Sequence, residues 1–141
     1  MISYWAIRSS NSIVIVSRVE KQRAAGGREE MRRYAEVIQL RPEDEAEYIR
    51  YHKDVWPGVL KTLGECGFRN YSIFLRNGVL FAYYEYHGTD FKADMQKMAD
   101  DPETQRWWKI MDPMQKVMED ALPGEKWSPA EEVFHYDGPE S

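Results

Sequence analysis

The chain has 141 residues, 43% of them hydrophobic and 30% charged, which suits one ordinary core in one domain. A net charge of −5 with no cluster of Lys and Arg excludes a surface built to displace counterions from nucleic acid, so a small neutral or amphiphilic partner is expected instead. The single Cys66 excludes an intramolecular disulfide and a multi-cysteine zinc site and suits a reducing cytoplasm, while the longest aliphatic run, "IVIV" at 13–16, is far too short to cross a membrane.

Residues 1–30 differ from the remainder. They hold five Lys or Arg against three Glu, have no acid before Glu20 and end in "AAGGREE". An acid-free, Ser-containing start is compatible with a targeting segment. The preferred reading is a non-conserved or disordered N-terminal extension, with the single domain occupying 31–141.

"RRYAEVIQL" (32–40) is rich in β-branched and aromatic residues and predicts a strand. "RPEDEAEY" then opens a helix, with Pro42 and three acids suited to its N-terminus, that runs to a stop at Gly67. Within it Ile49, Trp56, Leu60 and Leu63 approximate one apolar face. Pro57 lacks a backbone donor and clashes with the carbonyl of Lys53, so this helix must kink or restart near Trp56.

"NYSIFLRNGVLFAYYEY" (70–86) contains two strand-like runs around Asn77-Gly78, a dipeptide that supplies the positive φ angles of a tight hairpin. Alternation sends Tyr71, Ile73 and Leu75 one way and Phe74 the other; likewise Leu80, Ala82, Tyr84 and Tyr86 oppose Val79, Phe81 and Tyr83. Helices follow over Phe91, Met95 and Met98, and from Asp101-Pro102, with Asp112-Pro113 repeating the cap-and-proline signal. A loop through "LPGEKWSP" leads to a last strand, "EEVFHY" (131–136). The order β-α-β-β-α-β predicts an α+β, ferredoxin-like (split βαβ) antiparallel sheet with helices on one face. Both sheet faces are apolar, so the uncovered one predicts a homodimer with two sheets packed face to face.

Tyr48 and His52 lie one helical turn apart and share a face, which brings a phenol and an imidazole over one patch just before the proline break. His52 is open between a general acid or base and a structural histidine. His87 reads as a solvated side chain, and His135 as half-buried and hydrogen-bonded, with a site-lining role open. Trp107 and Trp108 are about 100° apart on a helix, so at least one is expected to be partly exposed or to line a groove, where an indole stacks on a flat ligand. Met95, Met98, Met111, Met114 and Met118 read as core filling.

Taken in order, "EYIRYHKDVWPGV", "RNYSIFL", "TQRWWKIM" and "EEVFHYD" resemble the L-rhamnose mutarotase family over about 31–137. The resemblance implies a dimeric ferredoxin-like protein, barrel-like in its assembly, that interconverts the α and β anomers of L-rhamnose or a related 6-deoxy sugar without metal or cofactor. It further implies His52 as the proton donor and Tyr48, Tyr71, Trp107 and Trp108 as the residues that bind the monosaccharide. Two other readings share the pattern: a dimeric ferredoxin-like monooxygenase with haem or an aromatic substrate near His52, and a sugar-binding module without catalysis. A Soret band after reconstitution marks the first, and binding without faster anomer exchange the second.

Overall fold

The computed structural model describes residues 31–139, so the expectation for an N-terminal extension over 1–30 lies outside the described residues. Strand β1 (Arg32–Leu40) is followed by a short 3-10 turn, helix α1 (Glu45–His52), helix α2 (Pro57–Glu65) and strands β2 (Phe68–Arg76) and β3 (Val79–Tyr86). Helices α3 (Phe91–Asp100) and α4 (Pro102–Met111) precede two short strands, β4 (Gln115–Lys116) and β5 (Ser128–Ala130). The antiparallel sheet runs β2-β3-β1-β4, with β5 also paired to β1.

The helix expected from Pro42 to Gly67 is two helices. α1 stops at His52 and the chain restarts at Pro57, whose missing N–H costs nothing at a first helical position. Because the helix breaks, only part of the expected apolar face meets the core: Trp56 and Leu63 pack against it, Ile49 and Leu60 do not. Tyr48, Val59 and Thr62 are the buried positions, while Ile49 and Leu60 are exposed and Trp56 and Leu63 half-buried. Gly67 ends α2 at φ +85°, a left-handed conformation that a helix C-terminus often takes.

Asn77 (φ 49°) and Gly78 (φ 73°) form the turn between β2 and β3, as the sequence predicts. The alternation also holds: Ile38, Leu40, Leu80, Ala82, Tyr84 and Tyr86 are buried on the inner face, under Phe91, Met95, Met98, Trp107, Trp108 and Met111. One irregularity interrupts it. Between Arg69 and Ser72 the register of β2 shifts, with Asn70 at φ 51°, so Tyr71 is carried to the inner face beside Tyr84.

Asp90 and Asp101 cap α3 and α4, accepting from the backbone N–H of Ala93 and Thr104 at 3.0 and 2.9 Å. Asp112 does not repeat this. It lies within a 3-10 turn that extends α4, and its carboxylate instead meets the Lys126 ammonium at 2.8 Å. The last strand is also displaced: pairing with β1 is made by Ser128–Ala130, and 131–136 has no regular structure. Arg33 pairs with Glu132 at 2.6 Å, after which Val133, Phe134 and Tyr136 stand exposed. A β-rich stretch needs a strand to pair with, and among the described residues the ladder between this segment and β1 ends at Ala130.

Candidate active site

A pocket of about 450 Å³ opens where α1, α2, α4 and the hairpin meet. Tyr48, Ile49 and His52 from α1, Leu60 and Leu63 from α2, Tyr71, Ile73 and Leu75 from β2, Leu80 from β3 and Trp107 from α4 line it. On either side of the proline break Ile49, Leu60 and Leu63 border the cavity, and Leu63 also packs against the core.

His52 and Tyr48 stack with ring centroids 4.1 Å apart, and Trp107 meets the imidazole edge-on at 5.3 Å. His52 Nδ1 lies 2.8 Å from the Tyr48 carbonyl oxygen. A carbonyl only accepts, so Nδ1 carries the proton and Nε2 presents its lone pair. Nε2 is shielded from solvent and has no partner in the chain. Burial, partly offset by the carbonyl, lowers the imidazole from 6.5 to about 4, so His52 is neutral near pH 7. Among the other shielded atoms without a partner are the Tyr71 hydroxyl and Trp107 Nε1. Burial raises the Tyr48 and Tyr71 hydroxyls, leaving both protonated; the Gln115 amide offsets part of the shift at Tyr48.

Four of the five residues expected at the site thus line one cavity: Tyr48, His52, Tyr71 and Trp107. Trp108 does not line it; this ring is 3% exposed and packs in the core. Both tryptophans are buried, and it is Trp107, wedged edge-on between Trp56 at 5.2 Å and His52, that borders the groove. His87 is exposed beside Glu85, and His135 bonds Asp137 in the exposed C-terminal segment instead of sitting in a strand. The sequence reading passed over Glu36 and Gln115, polar residues on or beside the inner face; a Glu at an inward position of an apolar strand was the available signal. Among the described residues no group of three or more His, Cys, Asp or Glu is placed to hold a metal ion, and no helix is long and apolar enough to cross a membrane.

Among the described residues a curled antiparallel sheet with four helices, and a pocket in whose wall one imidazole nitrogen has no partner in the chain, define a small α+β protein with a candidate ligand site. The family model described as L-rhamnose mutarotase matches residues 33–136. The L-rhamnose mutarotase of Bacillus subtilis is 38% identical over 95 residues, covering 66% of this chain and 88% of that protein. That of Oceanobacillus iheyensis is 34% identical over 109 residues, covering 76% of this chain and all of that protein. A crystal structure of L-rhamnose mutarotase from Formosa agariphila superposes with a TM-score of 0.60 at 26% identity, covering 75% of this chain and 99% of that one. The chain belongs to the L-rhamnose mutarotase family, whose members are isomerases.

Proposed function

We propose that this chain interconverts the α and β anomers of L-rhamnose by acid–base opening and closure of the sugar ring. The observation that carries the reading is His52: a neutral imidazole in the wall of an open pocket of aromatic and aliphatic side chains, held through Nδ1 by the Tyr48 carbonyl so that Nε2 is left without a partner in the chain. Mutarotation moves one proton and makes no net redox change. Nε2 accepts the proton of the anomeric hydroxyl as the C1–O5 bond breaks and the C1=O1 carbonyl forms. The resulting imidazolium then donates that proton to O5, which now belongs to C5 alone but still lies beside C1. After rotation about C1–C2, O5 adds to the other face of the carbonyl and the proton returns by the reverse path. His52 is thereby both acceptor and donor, and a positioned group of this kind contributes roughly 10² to 10⁴ in rate.

The Tyr48 and Tyr71 hydroxyls and Trp107 Nε1 are the groups we assign to orienting the sugar. Ile73, Leu75 and Leu80 offer an apolar wall suited to the methyl group of a 6-deoxy sugar. Trp108, next to Trp107 on α4, is buried in the core and is not among the groups assigned to the sugar. The strand order supports a ferredoxin-like description of the sheet. Its outer face supports a homodimer: Phe74 and Phe81 form a cross-strand pair that is 64% and 43% exposed, next to Val37, with the apolar segment 133–136 also uncovered. The buried Cys66 thiol suits the cytoplasm.

Saturation-transfer NMR on L-rhamnose tests the reading. Catalytic amounts of the chain should speed exchange between the two anomeric resonances, and more so than with D-glucose. Exchange no faster than in buffer would sink the proposal.

A further inference from the structure

One ionisable side chain on the inner sheet face takes no part in this scheme. Alternation along β1 turns Tyr34, Glu36, Ile38 and Leu40 inward, and Glu36 lies in register with Ala82 of β3 and Pro129 of β5. A carboxyl group in such a layer is costly without a partner. The small Ala82 leaves it room, yet Oε1 is shielded from solvent and has no partner in the chain. The neighbours are tyrosines: Tyr71 and Tyr84, with ring centroids 5.6 Å apart, are both held protonated by burial and by the field of Glu36, and Tyr34 stacks on Tyr84 at 5.2 Å. The Tyr71 hydroxyl is likewise shielded and without a partner, and Tyr71 lines the pocket. Glu36 therefore stands one side chain behind the pocket wall.

We propose that Glu36 is a positioning residue for the sugar, acting through Tyr71 to set whether that hydroxyl accepts from or donates to a sugar hydroxyl; this rests on the mutarotase reading of the same pocket. With Glu36 ionised, the Tyr71 O–H points to the carboxylate, directly or through one bound water, and its oxygen accepts from the sugar. The chain sugar O–H to Tyr71 O–H to carboxylate is charge-assisted, and each link strengthens the next. With Glu36 protonated, the carboxyl donates to Tyr71, the chain reverses and the charge assistance is lost.

Burial raises Glu36 from 4.5 to about 7, so the switch falls near neutrality. The groups that face it are Tyr34 on its own strand, Tyr84 on β3, Tyr71 on β2 and, beyond Tyr71, Tyr48 of α1 with His52 stacked on it. Tyr48, Tyr71 and Tyr84 titrate far above neutrality and His52 near 4, and among the described residues no cationic side chain contributes to Glu36.

The test is the pH dependence of KM and kcat for L-rhamnose anomer exchange, for the parent, Glu36→Gln and Tyr71→Phe. The parent's KM should rise roughly three- to tenfold as pH falls through neutrality, with kcat changing less. Both variants should show a KM flat across that range, because one has no carboxyl to titrate and the other no hydroxyl to turn. A flat KM in an active parent, or an inflection kept by Glu36→Gln, overturns the Glu36 inference alone. A parent inactive at every pH overturns the mutarotase reading, and this inference falls with it. If Glu36→Gln does not fold, the other pair decides: an inflection that Tyr71→Phe abolishes supports the inference, and one that it keeps overturns it.

Discussion

The two faces of the β2–β3 hairpin carry similar side chains in different surroundings. On the inner face Leu80, Ala82 and Tyr84 are buried beneath helices, and Tyr71, Ile73 and Leu75 wall a pocket. On the outer face Phe74 and Phe81 meet across the strands with nothing of the described chain above them. Hydrophobicity alone therefore does not separate a core from a site or from a surface. What separates them is how the polar atoms are satisfied: under the inner face His52 Nε2, the Tyr71 hydroxyl and Trp107 Nε1 are shielded without a partner, whereas on the outer face the polar groups beside the Phe74–Phe81 pair are matched, the Tyr83 hydroxyl donating to Glu85 at 2.8 Å. Polar atoms kept unpaired in a dry place cost stability and are retained where a ligand completes them; bare apolar area is completed by another apolar face.

The sharpest way to break this contrast is at His52. His52→Asn keeps a polar side chain of similar size, yet cannot carry a proton through Nε2. Anomer exchange should fall roughly 10²- to 10⁴-fold, or about 3 to 5.5 kcal/mol of transition-state stabilisation. Circular dichroism should show an unchanged fold. An exchange rate within a few-fold of the parent in a folded variant would return His52 to a structural role. On the other face, Phe74→Asp with Phe81→Asp removes two aromatic anchors and adds like charges. Dimer dissociation should strengthen by roughly 10² to 10³ in Kd, read by light scattering over a dilution series. A parent that scatters as one chain at micromolar concentration defeats the dimer instead.

How much of this was legible depended on whether a signal was local. The hairpin needs only Asn77-Gly78 and flanking alternation, and the α4 cap only Asp101, Pro102 and Thr104, so both were readable. Tyr48 and His52 were readable as a pair because a helical turn fixes their separation. The apolar face of the first helix was not, since the Pro57 break rotates everything beyond it by an amount the sequence does not state. The segment 131–136 reads as a strand because its residues suit one, but pairing is a tertiary property, and the ladder on β1 ends with Ala130 opposite Ala35. The shift at Asn70 was hidden in the same way. Alternation resumes correctly from Tyr71, and only the two polar residues between Phe68 and Tyr71 mark the extra step.

A subtler contrast lies within the inner face, where Glu36 and His52 respond to burial with opposite signs. Glu36 has a folded value of about 7 against an ordinary 4.5, so the stability it contributes is full below 4.5 and lost as pH rises to about 7. His52 has about 4 against 6.5, so its contribution is full above 6.5 and lost as pH falls to about 4. Between about pH 4.5 and 6.5 the two oppose each other, each by no more than about 3 kcal/mol, and His52 by less because part of its ring reaches solvent. The parent's stability should change little there. Glu36→Gln should lose stability on acidification and His52→Asn should gain it, as urea melts at several pH values would show. Parallel profiles for the two variants would contradict these environments.

The smallest expected effect tests what assigns residues to faces at all. A one-residue slip of β2 along β3 would turn Phe74 toward the pocket and Ile73 and Leu75 away from it, because side chains alternate with a period of two. The turn at Asn77-Gly78 prevents it, and Gly78 is further tied to β1 by the Leu40 N–H, which donates to its carbonyl at 2.8 Å. At φ 73° an added Cβ at Gly78 would stand 3.6 Å from the Leu40 carbonyl oxygen, an ordinary contact. The penalty for Gly78→Ala is thus backbone strain alone, about 1 kcal/mol. The melting temperature should drop by several degrees, roughly 3 to 7 °C. Because strain at the turn leaves the register in place, KM for L-rhamnose and the dimer Kd should both stay at the parent's values. A change in either one would mean that the turn had let the strands slip, and that the two faces are kept apart by less than the rest of the sheet supplies.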